Sequence, residues 1–413
     1  MSLISAGTNL LTSITFIGDQ TGNLIFQSNG TTALTLSNNT SIHTGTATFA
    51  NSATFANTIS APNTFGFKNR IINGAMQIDQ RNSGSANTPT TNGTYTIDRW
   101  KSINSQASKI TYQRNAGSVT PPAGYSNYLG LTVASNVNPA STDYFGFEQP
   151  IETYNLSDIS YGSSSASTLT ASFWVRSSVV GTYGVGLWYG TTTSACVQTF
   201  TISLANAWQY VTVSFPGASS PSLVVGSTDS MSLRFDLGSG TNFNTTAGSW
   251  VNQNALRTSS CVNWISNSGA TFYVTGVQLE VGPQATPFDV RDYGRELIMC
   301  QRYYYQWQAL SGYYTTFCNV FAISSTNGYG VFKLPVTMRA PPALTTTGTA
   351  SNYRIFIGGS TYNCSSVPTM DTSGVDTVAL QFPTAGTFTA GYAGFMQAAV
   401  TTGVSYLGFS AEY

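Results

Sequence analysis

Four acidic residues, Asp143, Glu148, Glu152 and Asp158, lie in a run that holds no basic residue between Arg114 and Arg176. Two carboxylates facing each other across a sugar bond are what glycoside hydrolysis requires, one to protonate the leaving oxygen and one to attack or to activate water. Calcium held by oxygen ligands from loops is the other chemistry open to such a set. The plainest alternative is solvated loop acids. Asp98-Arg99-Trp100 follows a strand-like Tyr95-Thr-Ile97 and reads as a local ion pair packed on an indole. His43 is the only histidine, so a Ser-His-Asp or Cys-His mechanism would have to use it, and it is given no role.

The aromatic residues offer a different chemistry. Ring faces stack on sugar rings while Asn, Ser and Thr supply hydrogen bonds. Trp174 stands opposite the core-facing side of its strand pattern, and Trp188 with Tyr189 abuts a Gly-rich turn. Towards the C-terminus, Tyr313, Tyr314, Tyr329, Tyr353, Tyr362 and Tyr392 stand among Asn319, Asn327, Asn352 and Asn363, with Arg354 as the one charged member. These are the candidate glycan contacts: a neutral amphipathic surface of the kind antibody loops use.

The whole composition fits a neutral partner. The 413 residues are 41% hydrophobic, 13% aromatic and only 8% charged, with 16 basic residues against 16 acidic. No basic run supplies the electrostatic term that nucleic-acid or anionic-membrane binding needs, so neither is expected as a partner. No apolar window is long enough for a membrane span, and the first residues lack a secretory leader's pattern. The five cysteines are odd in number, widely spaced and free of any CxxC pair, which predicts buried thiols rather than disulfides or zinc.

The elements that must position these residues are almost all strands. Residues 1–67 read as thin hairpins, with Asn23-Leu-Ile-Phe-Gln27 and Ala33-Leu-Thr-Leu-Ser37 separated by Ser28-Asn29-Gly30. The repeat ATFANS-ATFANT at 47–58 sets Phe49 and Phe55 in equivalent places, and so short a repeat needs a partner surface elsewhere. Residues 68–288 alternate with period two: Leu169, Ala171, Phe173 and Val175 on one side, Arg234 and Asp236 opposite Leu233, Phe235 and Leu237. This predicts a jelly-roll sandwich. Residues 289–309 break the pattern. Asp289 or Asp292 caps a helix, and Tyr293, Leu297, Cys300, Tyr304 and Trp307 recur at the 3.5-residue period of a supercoiled seam flanked by Asp292, Arg295, Glu296 and Arg302. A lone amphipathic helix on its own sandwich is the other reading of that pattern. Residues 310–413 return to strands, punctuated by Arg339-Ala-Pro-Pro342 and ending in YLGFSAEY, and predict a smaller second sandwich.

Seven motifs, NRIINGAMQIDQRNSG (69–84), YTIDRWK (95–101), SFWVRSS (172–178), VQLEVGPQATPF (277–288), YGRELIMCQRYY (293–304), LPVTMRAPPAL (334–344) and GFSAEY (408–413), together resemble bacteriophage and prophage tail-fibre proteins. The resemblance runs from residue 69 to the end. It implies an all-β homotrimeric fibre of the virion, synthesised in the host cytoplasm. Residues 1–67 would form a thin shaft anchored to other tail or baseplate proteins. Next would come a jelly-roll module resembling carbohydrate-binding modules, a joint where three helices meet, and a distal sandwich facing the host. The expected function is attachment to a host-surface glycan, lipopolysaccharide or capsular polysaccharide, without catalysis; no cofactor is expected, calcium in the jelly roll being the one optional ion. A glycan depolymerase and a structural decoration protein are the alternatives.

Overall fold

The structure is a computed structural model that describes residues 68–413 apart from 221 and 227–229, together with the backbone of three strands nearer the N-terminus. Those strands, Asn23–Ser28, Thr31–Ser37 and Thr40–His43, form an antiparallel meander, as the alternation and turn residues predict. They belong to a compact unit of residues 1–60, distinct from a second unit of residues 61–413. The Phe49 and Phe55 repeat lies outside the described residues.

The second unit holds two β-sandwiches. In the first, a seven-stranded sheet runs in the order Trp250–Val251, Ser194–Ile202, Gly181–Tyr189, Ser230–Ser239, Tyr144–Glu152, Trp100–Asn104, Tyr95–Ile97. It faces a five-stranded sheet ordered Gln209–Phe215, Leu169–Ser177, Thr271–Val281, Leu129–Val133, Ile110–Arg114. All named pairs are antiparallel. Every second residue of Leu169–Ser177 is buried without exposure in one aromatic and aliphatic core, where Phe147 and Phe235 stack at 4.6 Å and Trp100, Phe173, Phe200 and Phe272 close around them. Period-two alternation puts these residues inside because strand side chains point alternately to opposite faces.

The motif at 69–84 is not a strand. It folds as a buried plug over a bulge in Thr271–Val281, where the register with Leu169–Ser177 shifts between Thr275 and Gln278. Asn69 satisfies the freed backbone there, accepting from Ile71 and Leu279 N–H and donating to the Val277 carbonyl. Gly74 must be glycine, since a Cβ would sit 2.1 Å from the Val277 oxygen. Gly276, at φ 62°, makes the bulge turn that residues with a Cβ rarely adopt.

The helix covers Tyr293–Gln301, and Asp292 caps it by accepting from the Arg295 N–H at 2.9 Å. It is shorter than the span 289–309 expected from periodicity. Tyr304 and Trp307 lie instead on the strand Tyr304–Gln308, paired with Tyr406–Ser410. Nor does the seam face outward as a whole: Cys300 is fully buried against Ile72 and Ile78 of the plug and Tyr303, with Leu297 half-buried beside them. Of the five seam positions only Tyr293 is exposed. The flanking charges are also largely engaged within the chain, because Glu296 accepts from the Asn73 N–H and pairs with Arg291, while Arg302 pairs with Glu152 at 2.8 Å. The helix is a bracket inside one chain, and the aromatic run Tyr303-Tyr304-Tyr305 turns into a strand because a ladder partner waits a hundred residues downstream.

The second sandwich sets the sheet Tyr304–Gln308, Tyr406–Ser410, Ala343–Thr346 over a seven-stranded sheet ordered Ser360–Asn363, Tyr353–Ile357, Ala393–Ala398, Thr316–Ala322, Asn327–Lys333, Thr377–Pro383, Thr369–Ser373. Tyr305, Phe332 and Phe409 stack in its core, with Trp307 edge-on to Phe332 at 5.2 Å. The last strand is the middle one of its sheet, but it ends at Ser410 and does not run to the last residue as YLGFSAEY suggests. Beyond it Ala411 stays in the core of the second sandwich while Glu412 and Tyr413 reach the first, where Glu412 pairs with Arg99 and, at 3.1 Å, with Arg81. Arg99 therefore does not pair with neighbouring Asp98. Asp98 instead accepts from the backbone and side chain of Gln80, and Arg99 stacks over Tyr303 at 3.5 Å. Among the described residues no helix is long and apolar enough to cross a membrane.

Candidate functional site

The outer face of the first seven-stranded sheet carries a row of three charged side chains on three adjacent strands. Cross-strand register places Lys101 beside Glu148 and Glu148 beside Arg234. Glu148 accepts from Arg234 Nε at 2.5 Å and pairs with Lys101 Nζ at 3.2 Å. Arg234 Nη1 donates to Asn254 at 2.8 Å, and its guanidinium lies 4.4 Å from the Trp188 ring. Charged groups in mid-strand of an 8% charged protein need a reason, and the reason is that this row floors a cleft.

Two walls rise from that floor. On one side Asn92 accepts from the Asn104 N–H at 2.9 Å and the Gly93 N–H donates to Ser102, which ties the hairpin loop to the sheet. On the other side the segment after Phe243 crosses the sheet face. Arg257 pins it by donating to the Ser239 carbonyl at 2.8 Å and pairing with Asp236 at 3.7 Å. Ile103, Phe243, Leu256 and Tyr144 pack into the apolar part of this wall, with Tyr144 and Phe243 edge-to-face at 5.4 Å. The enclosed volume is about 260 Å³, lined by Asn92, Lys101, Tyr144, Glu148, Arg234 and Asn254 with Gly93, Ile103 and Leu256. That is just under the range of about 300–1,000 Å³ for drug-sized sites.

Electrostatics define what the cleft can do. Burial by itself would raise the Glu148 carboxyl, but the Arg234 and Lys101 charges outweigh it and hold the pKa below the ordinary carboxylate value. Glu148 is therefore an ionised acceptor and no proton donor near neutrality. It is also the sole carboxylate lining the cleft, so the two-carboxylate arrangement of glycosidases is missing from it. The cleft presents amide and cationic donors, one charged acceptor, and Tyr144 with Leu256 as apolar surface.

The four acids of the basic-free run do not converge. Glu148 belongs to the cleft, Glu152 accepts from Arg302 and the Tyr303 hydroxyl, Asp158 pairs with Arg70, and Asp143 accepts from Ser105, Gln106 and the Ala140 N–H. Among the described residues no three acidic, histidine or cysteine side chains gather so as to hold a metal ion. They form neither a facing pair nor a calcium cage: Glu148 and Glu152 share the strand Tyr144–Glu152 but turn to different basic partners, Asp158 lies beyond it on Thr153–Ile159, and Asp143 is held by uncharged donors.

The aromatic candidates are likewise dispersed. Trp188 flanks the cleft through Arg234, whereas Trp174 lies half-buried on the five-stranded sheet beside Tyr210 at 5.4 Å. In the second sandwich Tyr314 and Arg354 come together, ring and guanidinium 3.8 Å apart. Tyr313 is 67% exposed and Tyr392 is exposed as well, while Tyr329 bonds Asp371 and Tyr362 packs on Phe388. Tyr353 is 0% exposed, with its hydroxyl held by the Thr347 N–H and the Tyr406 carbonyl, so it is a core residue and not a surface contact. Sequence reasoning missed Lys101, Tyr144, Asn254 and Arg234 as a site. Its one available signal was the outward position of Arg234, with Asp236, on a strand of an otherwise charge-poor sequence.

No family model matches the chain, and no curated protein matches its sequence. Solved structures resemble parts of it. The enzymatically active domain of tailspike protein 4 from bacteriophage CBA120 is 12% identical, with a TM-score of 0.27, covering 47% of this chain and 21% of that one. A putative sugar binding protein from Bacteroides thetaiotaomicron is 14% identical, with a TM-score of 0.31, covering 52% and 100%. The family 11 carbohydrate-binding module from Clostridium thermocellum, in complex with a β-1,3-1,4-mixed-linked tetrasaccharide, is 11% identical, with a TM-score of 0.25, covering 48% and 96%. The chain thus spans about a fifth of the tailspike domain's length.

Proposed function

We propose that this chain is a bacteriophage tail-fibre adhesin that attaches the virion to a host-surface glycan, lipopolysaccharide or capsular polysaccharide, and leaves it intact. The observation that carries the binding half of this reading is the cleft on the outer face of the first sheet, with paired donors, a single ionised carboxylate and an apolar wall. Seven motifs in tail-fibre order support the fibre half. In this assignment three chains assemble on one axis, residues 1–67 join the tail or baseplate, and the second sandwich lies distally, with Tyr313, Tyr314 and Arg354 as auxiliary contacts. Three copies per fibre turn weak contacts into firm attachment by avidity.

The test is competition for adsorption. Purified full-length protein is added to host cells, and phage particles left in the supernatant are counted, while the polymer size of extracted surface glycan is followed in parallel. A concentration-dependent block with unchanged polymer length supports the adhesin. Loss of polymer length moves the chain to the depolymerases, and no block by a cell-exposed, folded protein moves it to the structural proteins of the virion.

A further inference from the structure

Charge is scarce in this protein, yet three of its charged groups floor one cleft. Lys101 and Arg234 against Glu148 leave one positive charge in excess. The other lining residues, Asn92, Gly93, Ile103, Tyr144, Asn254 and Leu256, are uncharged. Glu148 takes one donor on each of its oxygens: Lys101 Nζ on one and Arg234 Nε on the other. Arg234 spends Nη1 on Asn254, and its remaining nitrogen, Nη2, has no hydrogen bond among the described residues. Among the described residues Lys101 sets three ammonium hydrogens against one ion pair, to Glu148, with the Tyr95 ring centroid 5.9 Å from Nζ. The cleft thus offers charged donors in surplus and acceptors already taken.

Such a floor discriminates. A neutral sugar hydroxyl would gain an ordinary hydrogen bond there, but an anionic group would gain charge-assisted ones from a fork and an ammonium together. It would also neutralise the excess charge at a half-desolvated place, which water does only poorly. Burial already depresses the Arg234 guanidinium from its ordinary value, a sign that this cation is under-compensated where it stands. The nearby acids are already engaged: Asp236, two residues from Arg234 on its strand, pairs with Arg257, Glu152 pairs with Arg302, and Asp143 accepts from Ser105, Gln106 and the Ala140 N–H. From this surplus we infer that the cleft selects a glycan unit bearing one negative charge, a sugar carboxylate or a sugar phosphate or sulfate, with the anion on Lys101 and Arg234 Nη2 and the ring against Tyr144 and Leu256. This inference rests on the glycan-binding reading and narrows its ligand class.

The experiment measures affinity of the full chain for matched oligosaccharides by titration calorimetry at low and at moderate salt. One set carries gluco-, galacto- and mannuronate residues, a second is the same set after carboxyl reduction, and a third carries 6-sulfate or 6-phosphate on the neutral sugars. The expected result is at least a tenfold preference for an acidic member over its neutral counterpart, falling with salt and cut severalfold by Lys101→Gln, which leaves Glu148 paired with Arg234. Preference within the uronate set names the carboxylate as the source, and preference within the third set names the phosphate or sulfate. Equal affinity for charged and neutral members overturns the inference while keeping the glycan reading. Failure of all three sets to bind a folded protein, or binding untouched by Lys101→Gln, removes the cleft as the glycan site.

Discussion

Glu412 lies one residue from the end of the chain, yet its replacement by glutamine should destabilise the protein as strongly as a core deletion. Its carboxylate pairs with Arg99, which is 1% exposed, and with Arg81 at 3.1 Å. Burial would lower the Arg99 pKa, but the Glu412 charge, together with Tyr303, Tyr95 and Cys300, offsets this and the pKa is raised. Removing that charge leaves a buried guanidinium with only the Pro150 carbonyl and the Tyr303 ring for company. Breaking one side of a buried pair costs about 3–5 kcal/mol, against about 0–1 kcal/mol for an exposed pair. Urea unfolding followed by tryptophan fluorescence measures this difference. The Glu412→Gln midpoint should fall by that amount divided by the m-value, and Asp158→Asn, whose carboxylate is 56% exposed, should lose under about 1 kcal/mol despite a 2.5 Å contact. Equal, small shifts for both variants would refute the idea that burial, and not distance, sets the strength of these pairs.

Three other outcomes follow from the same structure. Burial raises Asp98 and Asp236 to about 6 from an ordinary 3.8, with the charges of Arg81 and Arg257 only partly opposing it. Carboxyls raised on folding favour the protonated native state, so their stability contribution is lost as pH climbs through 4 to 6. The protein should gain about 1 kcal/mol per group between pH 7 and pH 5, and Asp98→Asn should flatten that slope. Gly74→Ala, with its Cβ 2.1 Å from the Val277 oxygen, should cost about 2–3 kcal/mol and lower the thermal midpoint. All five cysteines are free and buried, and burial pushes Cys196, Cys318 and Cys364 up to about 12, so a thiol reagent at pH 8 should label the native protein slowly and the denatured protein at five sites.

The two sandwiches were legible in the sequence because period-two alternation is local: Leu169, Ala171, Phe173 and Val175 announce their own burial. The helix start was legible too, through Asp292. Its end was not, since periodicity continued through Tyr304 and Trp307 while the chain had already left for a strand whose partner is Tyr406–Ser410. The same limit hid the ion pairs. Asp98 beside Arg99 looked self-sufficient, but Arg99 finds Glu412 313 residues away. The cleft was half visible, in Arg234 turned outward. Its walls come from loops at Asn92 and Asn254, which carry no periodic signal, and only the sheet order brings Lys101 next to Glu148.

The most direct test of the account is binding of host-surface polysaccharide by the purified chain, comparing wild type with Tyr144→Ala, Asn254→Ala and Tyr314→Ala, each checked for native unfolding behaviour. The cleft reading predicts that Tyr144→Ala and Asn254→Ala weaken binding by tenfold or more. Wild-type affinity in both cleft variants, with the loss following Tyr314→Ala instead, would contradict it and move the receptor site to the second sandwich.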